Sequence, residues 1–151
     1  MLKPILLVED NPNDLELTLI ALEKSRLANE VVVVRDGAEA LEYLECRGAF
    51  SQRPTGNPAV ILLDLKLPKV DGLEVLRHIR FSETLKSTPV VMLTSSREEQ
   101  DVVRSYQLGV NAYVVKPVDF EEFVRAISDL GVFWAVLNEP PPGSTRYIRK
   151  T

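Results

Sequence analysis

Val60-Ile61-Leu62-Leu63-Asp64-Leu65-Lys66-Leu67-Pro68 reads as a short buried strand that stops on a carboxylate. Four branched apolar residues in a row leave no polar face, so both sides of such a strand must be covered. Similar runs occur at Ile5-Leu6-Leu7-Val8, Val31 to Val34, Val90 to Leu93 and Tyr113-Val114-Val115. The stretches between them carry helical spacing. Leu15, Leu19, Leu22 and Ile20 are expected on one face of a first helix, Ala38, Leu41 and Leu44 on a second, and Leu73, Leu76 and Ile79 on a third. Val102, Val103, Tyr106 and Leu108 form a weaker fourth stripe, and Phe120, Phe123, Val124, Ile127 and Leu130 a clear fifth. Strands alternating with helices through short loops imply a parallel sheet covered on both faces, a doubly wound α/β fold.

Asn11-Pro12, Asp71-Gly72 and Asp119 suit helix starts, while Gly109 and Asn111 suit the end of the fourth helix. Arg47 to Pro58 breaks the alternation as a long loop before the third strand. Residues 1–137 are expected to form one domain, and 138–151, opening on Asn138-Glu139-Pro140-Pro141-Pro142-Gly143, a short tail without an output domain.

The 151 residues suit a single core, and no apolar run approaches the about 20 residues that span a bilayer. The N-terminus lacks a signal peptide's layout, so a cytoplasmic, non-membrane protein is expected. A net charge of −4 argues against nucleic-acid binding through a basic face. Cys46 stands alone and is expected to be a buried or half-buried thiol, and His78 a surface residue of the third helix.

In open α/β sheets, sites form beyond the carboxyl ends of the strands. There the sequence places Glu9-Asp10, Asp64, Thr94 and Lys116, one group per strand for four of the five strands. Each fits a bland role alone: a strand end, a helix cap, a surface lysine. Together, at matching ends, they suggest a site. Clustered carboxylates need a cation among them, and an oxygen-only set suits a hard one such as Mg²⁺. A carboxylate can attack phosphorus, a lysine can neutralise the transferred group, and a threonine can hydrogen-bond its oxygens.

The ordered set Leu7-Val8-Glu9-Asp10-Asn11, Leu62-Leu63-Asp64-Leu65-Lys66-Leu67-Pro68, Asp71-Gly72, Leu93-Thr94-Ser95 and Tyr113-Val114-Val115-Lys116-Pro117 resembles two-component receiver domains over roughly residues 3–130. The resemblance implies a flavodoxin-like (βα)5 fold with strand order 2-1-3-4-5. It implies Asp64 as phosphoacceptor, Mg²⁺ held by Glu9, Asp10, Asp64 and the backbone carbonyl of Lys66, and phosphoryl contacts from Thr94 and Lys116. Tyr113 matches the aromatic switch, and the Lys116-Pro117 bond matches one that is usually cis.

Within receivers the chain resembles the stand-alone regulators of bacterial phytochrome histidine kinases. Glu9, the Asn-Pro-Asn-Asp opening of the first helix, the long loop and Phe133-Trp134 carry that likeness. Lys66 departs from the subgroup's usual Asn, and a changed autodephosphorylation lifetime is expected from it; equal lifetimes in wild type and Lys66→Asn would refute this. Glu9 departs in length from the commoner aspartate.

The implied function is a phosphoacceptor switch, not an enzyme with a separate substrate. Asp64 would take a phosphoryl group from a sensor histidine kinase and signal through the face of helix four, strand five and helix five. Surplus apolar residues at Val132, Phe133, Trp134, Val136 and Leu137 suggest a homodimer or an extension folded back on the domain. Against an aspartyl phosphatase stands Lys66, where such enzymes carry a second aspartate. Against a nucleotide or flavin module stands the glycine-free, acidic stretch Glu9 to Asn13.

Overall fold

The computed structural model describes residues 3–24, 28–116, 121 and 125. The expected helix five, Asp119, Pro117, the apolar extension and the tail therefore lie outside the described residues or rest almost wholly on residues outside them. Among the described residues no helix is long and apolar enough to cross a membrane.

Strands β1 (Ile5–Val8), β2 (Val31–Val34), β3 (Val60–Leu63), β4 (Val90–Thr94) and β5 (Ala112–Val115) form one parallel sheet in the order β2-β1-β3-β4-β5. Helices α1 (Pro12–Lys24), α2 (Gly37–Leu44), α3 (Gly72–Phe81) and α4 (Glu99–Gln107) connect them. This is the flavodoxin-like doubly wound arrangement expected from the sequence. The three inner strands are buried along their whole length, whereas β2 and β5 at the edges are half-buried at two and three of their four positions.

Successive strand residues point to opposite faces, and the core divides accordingly. Ile5, Leu7, Val60, Leu62, Val91 and Leu93 pack with Leu15, Leu19 and Leu22 of α1. Leu6, Val8, Ile61, Leu63, Val90 and Met92 pack with Tyr43 and Leu44 of α2 and with Val75, Leu76 and Ile79 of α3.

Three helices differ from their expected faces, and in α2 Ala38 and Leu41 are half-buried while Ala40 and Tyr43 turn inward with Leu44. Ile20 does not join the buried face of α1; it is 43% exposed, one residue round the helix from Leu19. In α4 the buried residues are Asp101 and Ser105, while Val103 and Tyr106 face outward. The i, i+4 pair that turns inward is polar, so an apolar stripe could not reveal it.

Local signals account for most boundaries. Asn11 Oδ1 accepts from Asp14 N at 3.0 Å ahead of Pro12, Asp36 caps α2 through Glu39 N at 2.7 Å, and Asp71 caps α3 through Glu74 N at 3.0 Å. Gly109 ends α4 at φ +89°. The long loop before β3 holds a 3₁₀ turn at Gly48–Phe50. Arg53 orders its remainder, stacking 4.1 Å over the Tyr43 ring and donating to the carbonyls of Tyr43, Pro54 and Gly56.

Candidate phosphoacceptor and metal site

Parallel register sets the rim of the sheet. Val8 pairs with Val34 and Leu63, Leu63 with Met92, and Thr94 with Val115, so β1, β2 and β3 end level and β4 and β5 run two residues further at the same rim. The next backbone bonds carry that alignment one residue further. Glu9 N donates to Val34 O at 3.1 Å, Asp64 N to Val8 O at 3.1 Å, and Lys116 N to Thr94 O at 2.8 Å. Parallel pairing thus delivers side chains from residues more than a hundred positions apart to one place.

At that place Glu9, Asp10 and Asp64 each offer a carboxylate oxygen, all within 4.8 Å of one another. Glu9 and Asp64 are buried, at 2% and 6% exposure. The Lys116 side chain is only 7% exposed, and Nζ donates to Glu9 Oε1 at 2.6 Å and Asp64 Oδ2 at 3.2 Å. It also donates to Asp14 Oδ2 at 2.9 Å, a residue the sequence places in the opening of the first helix but not among the site residues. Asp14 sits in the first turn of α1, where an acid reads as an ordinary complement to the helix dipole. Nothing in the sequence directs it toward Lys116.

The electrostatics follow from that packing. Burial raises Glu9 to about 7, with the Asp64 charge adding to the effect against the hydrogen bond from Lys116. For Lys116 burial acts downward, but the hydrogen bonds to Glu9 and Asp14 and the charges of Asp64 and Glu9 outweigh it and hold the ammonium above its ordinary value. Three carboxylates, Glu9, Asp14 and Asp64, bond the one ammonium and Asp10 lies beside two of them, an excess of acid that a divalent cation would balance. All the donor atoms are oxygens, the set a hard cation prefers. The residues fit such an ion: Glu9, Asp10 and Asp64 would hold it.

The other expected residues lie around this cluster. Thr94 is fully buried at the end of β4, with Oγ1 accepting from Ser96 N at 3.3 Å. Tyr113 is half-buried against the α2/α3 side of the core and donates its hydroxyl to Ser96 O at 3.0 Å. Burial raises its phenol above the usual value. Lys66 is exposed in the loop after β3. His78 lies on the surface of α3 as expected, 2.6 Å from Glu45, and Cys46 is half-buried.

Gly72 contributes through its missing side chain. Its N donates to Leu65 O at 2.8 Å, and a Cβ there would stand 2.2 Å from Asp64 O. The start of α3 therefore presses on the backbone of Asp64.

A family model described as "Response regulator receiver domain" matches residues 5–128. The chain belongs to the response-regulator receiver family. It is similar to the solved structure of the bacteriophytochrome response regulator RtBRR, at 74% identity and TM-score 0.86, covering 95% of this chain and 87% of that one. The structure of the bacteriophytochrome response regulator AtBRR is 72% identical, with TM-score 0.84 and coverage of 92% and 99%. Response regulator Rcp1 of Synechocystis sp. (strain ATCC 27184 / PCC 6803 / Kazusa) is 41% identical over 132 residues, 87% of this chain and 88% of its own length. A crystal structure of the Mn²⁺-bound form of Rcp1 matches with TM-score 0.73 at 38% identity, covering 97% of this chain and 99% of that one.

Proposed function

We propose that this receiver takes a phosphoryl group on Asp64 from the phosphohistidine of a sensor kinase, with Mg²⁺ held by Glu9, Asp10, Asp64 and the Lys66 carbonyl. The observation that carries the proposal is Lys116 Nζ, 3.2 Å from Asp64 Oδ2 within a cluster of carboxylates. An Asp64 oxygen forms the new P–O bond as the N–P bond of the phosphohistidine breaks, and the imidazole keeps the electron pair. Bound Mg²⁺ would neutralise charge on the phosphoryl oxygens. Lys116 balances the remaining charge, and the Thr94 hydroxyl turns to a phosphoryl oxygen.

Tyr113 and α4 carry the change outward. The exposed Val103 and Tyr106 supply an apolar face on α4 beside β5, suited to protein docking. The names of the two bacteriophytochrome regulators, which this chain matches nearly end to end, support a kinase of the phytochrome type. A homodimer through helix five and the apolar extension remains part of the proposal, resting on sequence alone.

The test is intact-protein mass spectrometry after incubation with acetyl phosphate and Mg²⁺. One phosphoryl group on the wild type and none on Asp64→Asn is expected. An unlabelled wild type, or a labelled Asp64→Asn, would overturn the assignment.

A further inference from the structure

We propose that Asp101 is a positioning residue of this switch: through Ser96 it fastens the loop that carries Thr94 both to α4 and to Tyr113. The proposal rests on the reading of Asp64 as phosphoacceptor.

Asp101 is a carboxylate in the first turn of α4, a place where acids usually sit exposed near the helix dipole. Here it is 6% exposed. Burying a carboxylate is costly unless it is paired or hydrogen-bonded. Its side-chain partner is Ser96, whose Oγ donates to Asp101 Oδ2 at 2.6 Å, the short distance of a charge-assisted bond. The next turn closes over it, with the fully buried Ser105 donating Oγ to Asp101 O at 2.8 Å.

Ser96 joins four groups. Its N donates to Thr94 Oγ1, its carbonyl accepts from the Tyr113 hydroxyl, and its Oγ accepts from Glu98 N at 3.3 Å while donating to Asp101. Thr94 and Tyr113 therefore meet at one residue, and that residue is anchored by Asp101. The anchor also replaces a cap, since Glu98 at the start of α4 makes no side-chain capping bond. For the Thr94 hydroxyl to turn toward a phosphoryl group it must leave Ser96 N or draw the loop with it. With Ser96 Oγ held by Asp101, a pull on the loop reaches α4 and the Tyr113 hydroxyl together. With that bond gone, Ser96 is no longer held to α4, and a pull from Thr94 is taken up in the slackened loop before it displaces the Ser96 carbonyl from Tyr113.

The test compares Ser96→Ala, Asp101→Ala and Asp101→Asn with wild type, following Tyr113 ring resonances and the exchange of the Glu98 amide by NMR. Samples are read first unmodified, then at steady state with acetyl phosphate and Mg²⁺. In Ser96→Ala, which removes its acceptor, the Glu98 amide should exchange about tenfold faster, the effect of one hydrogen bond. In both alanine variants phosphoryl uptake should persist, while the Tyr113 shift that accompanies it is largely lost. Asp101→Asn keeps an acceptor oxygen and should recover most of the shift. Failure of Asp101→Asn to recover it would assign the loss to packing and overturn the hydrogen-bond role. Wild-type uptake with an unchanged Tyr113 response in both alanine variants would overturn the positioning role alone. A wild type that takes no phosphoryl group would instead overturn the reading of Asp64, and the switch role with it.

Discussion

Lys116 Nζ lies 2.9 Å from Asp14 Oδ2, so the lysine at the end of β5 is tied to the first turn of α1 as well as to the strand ends. Asp14 stands outside the Glu9, Asp10 and Asp64 cluster. A cation held there would compete with Lys116 for Glu9 and Asp64 but not for Asp14. With a metal held by Glu9 and Asp64, Asp14 would be the partner left to the ammonium.

Asp14→Asn removes one negative charge beside the cluster and the anchor that holds Lys116 aside. Mg²⁺ affinity, measured by titration calorimetry, is expected to fall several-fold. Metal-free stability should change by less than about 1 kcal/mol, because Lys116 keeps two partners and Asp14 is 35% exposed. Unchanged affinity would show that Lys116 screens this charge from the metal.

Mg²⁺ should stabilise the fold. At ten times the dissociation constant the gain is about 1.4 kcal/mol, read as a shift in the urea midpoint. Asp10→Asn should lose most of that gain with little change in the metal-free midpoint. An equal Mg²⁺ response in this variant would remove Asp10 from the ligand set.

Gly72→Ala sets two effects against each other. In a helix alanine is favoured over glycine by about 1 kcal/mol. Here the new Cβ would lie 2.2 Å from Asp64 O and 2.8 Å from Leu65 Cα, which is backbone and cannot swing aside. Overpacking of this kind costs about 1–3 kcal/mol. Net destabilisation is expected in urea unfolding, together with slower phosphoryl uptake as Asp64 is displaced. A stabilised variant would show that α3 yields at little cost.

Arg80 is the corresponding clamp at the opposite rim. Its guanidinium donates to the carbonyls of Gly109, Lys86 and Thr88 and to Asn111 Oδ1, at 2.7 to 3.1 Å. Asn111 Oδ1 also accepts from Val90 N at 2.8 Å, so the turns before β4 and β5 share one side chain. Arg80→Lys keeps the charge but loses the planar fork, and a loss of about 2–3 kcal/mol is expected in urea unfolding. A loss below about 0.5 kcal/mol would mean that water satisfies these carbonyls.

The strands, their order in the chain and the helices between them follow from local pattern. Runs such as Val60-Ile61-Leu62-Leu63 read as buried strands, and helical spacing placed Leu15, Leu19 and Leu22 inward. The core of the site was legible for the same reason. A parallel sheet brings the carboxyl ends of its strands to one rim, so Glu9, Asp10, Asp64, Thr94 and Lys116 could be grouped from chain order alone.

Tertiary structure decided what those residues touch. Asp14 reads as a helix-dipole acid until β5 lays Lys116 beside it, across 102 positions of sequence. Asp101 and Ser105 read as surface residues of a weakly amphipathic helix, yet they form its buried face because Ser96 satisfies the carboxylate. Ile20 reads with Leu19 but lies outside, since a spacing pattern names a stripe without setting its width. Periodicity is a property of one segment and survives in the sequence. A hydrogen bond between segments depends on how two elements are set against each other, and only the folded chain contains that.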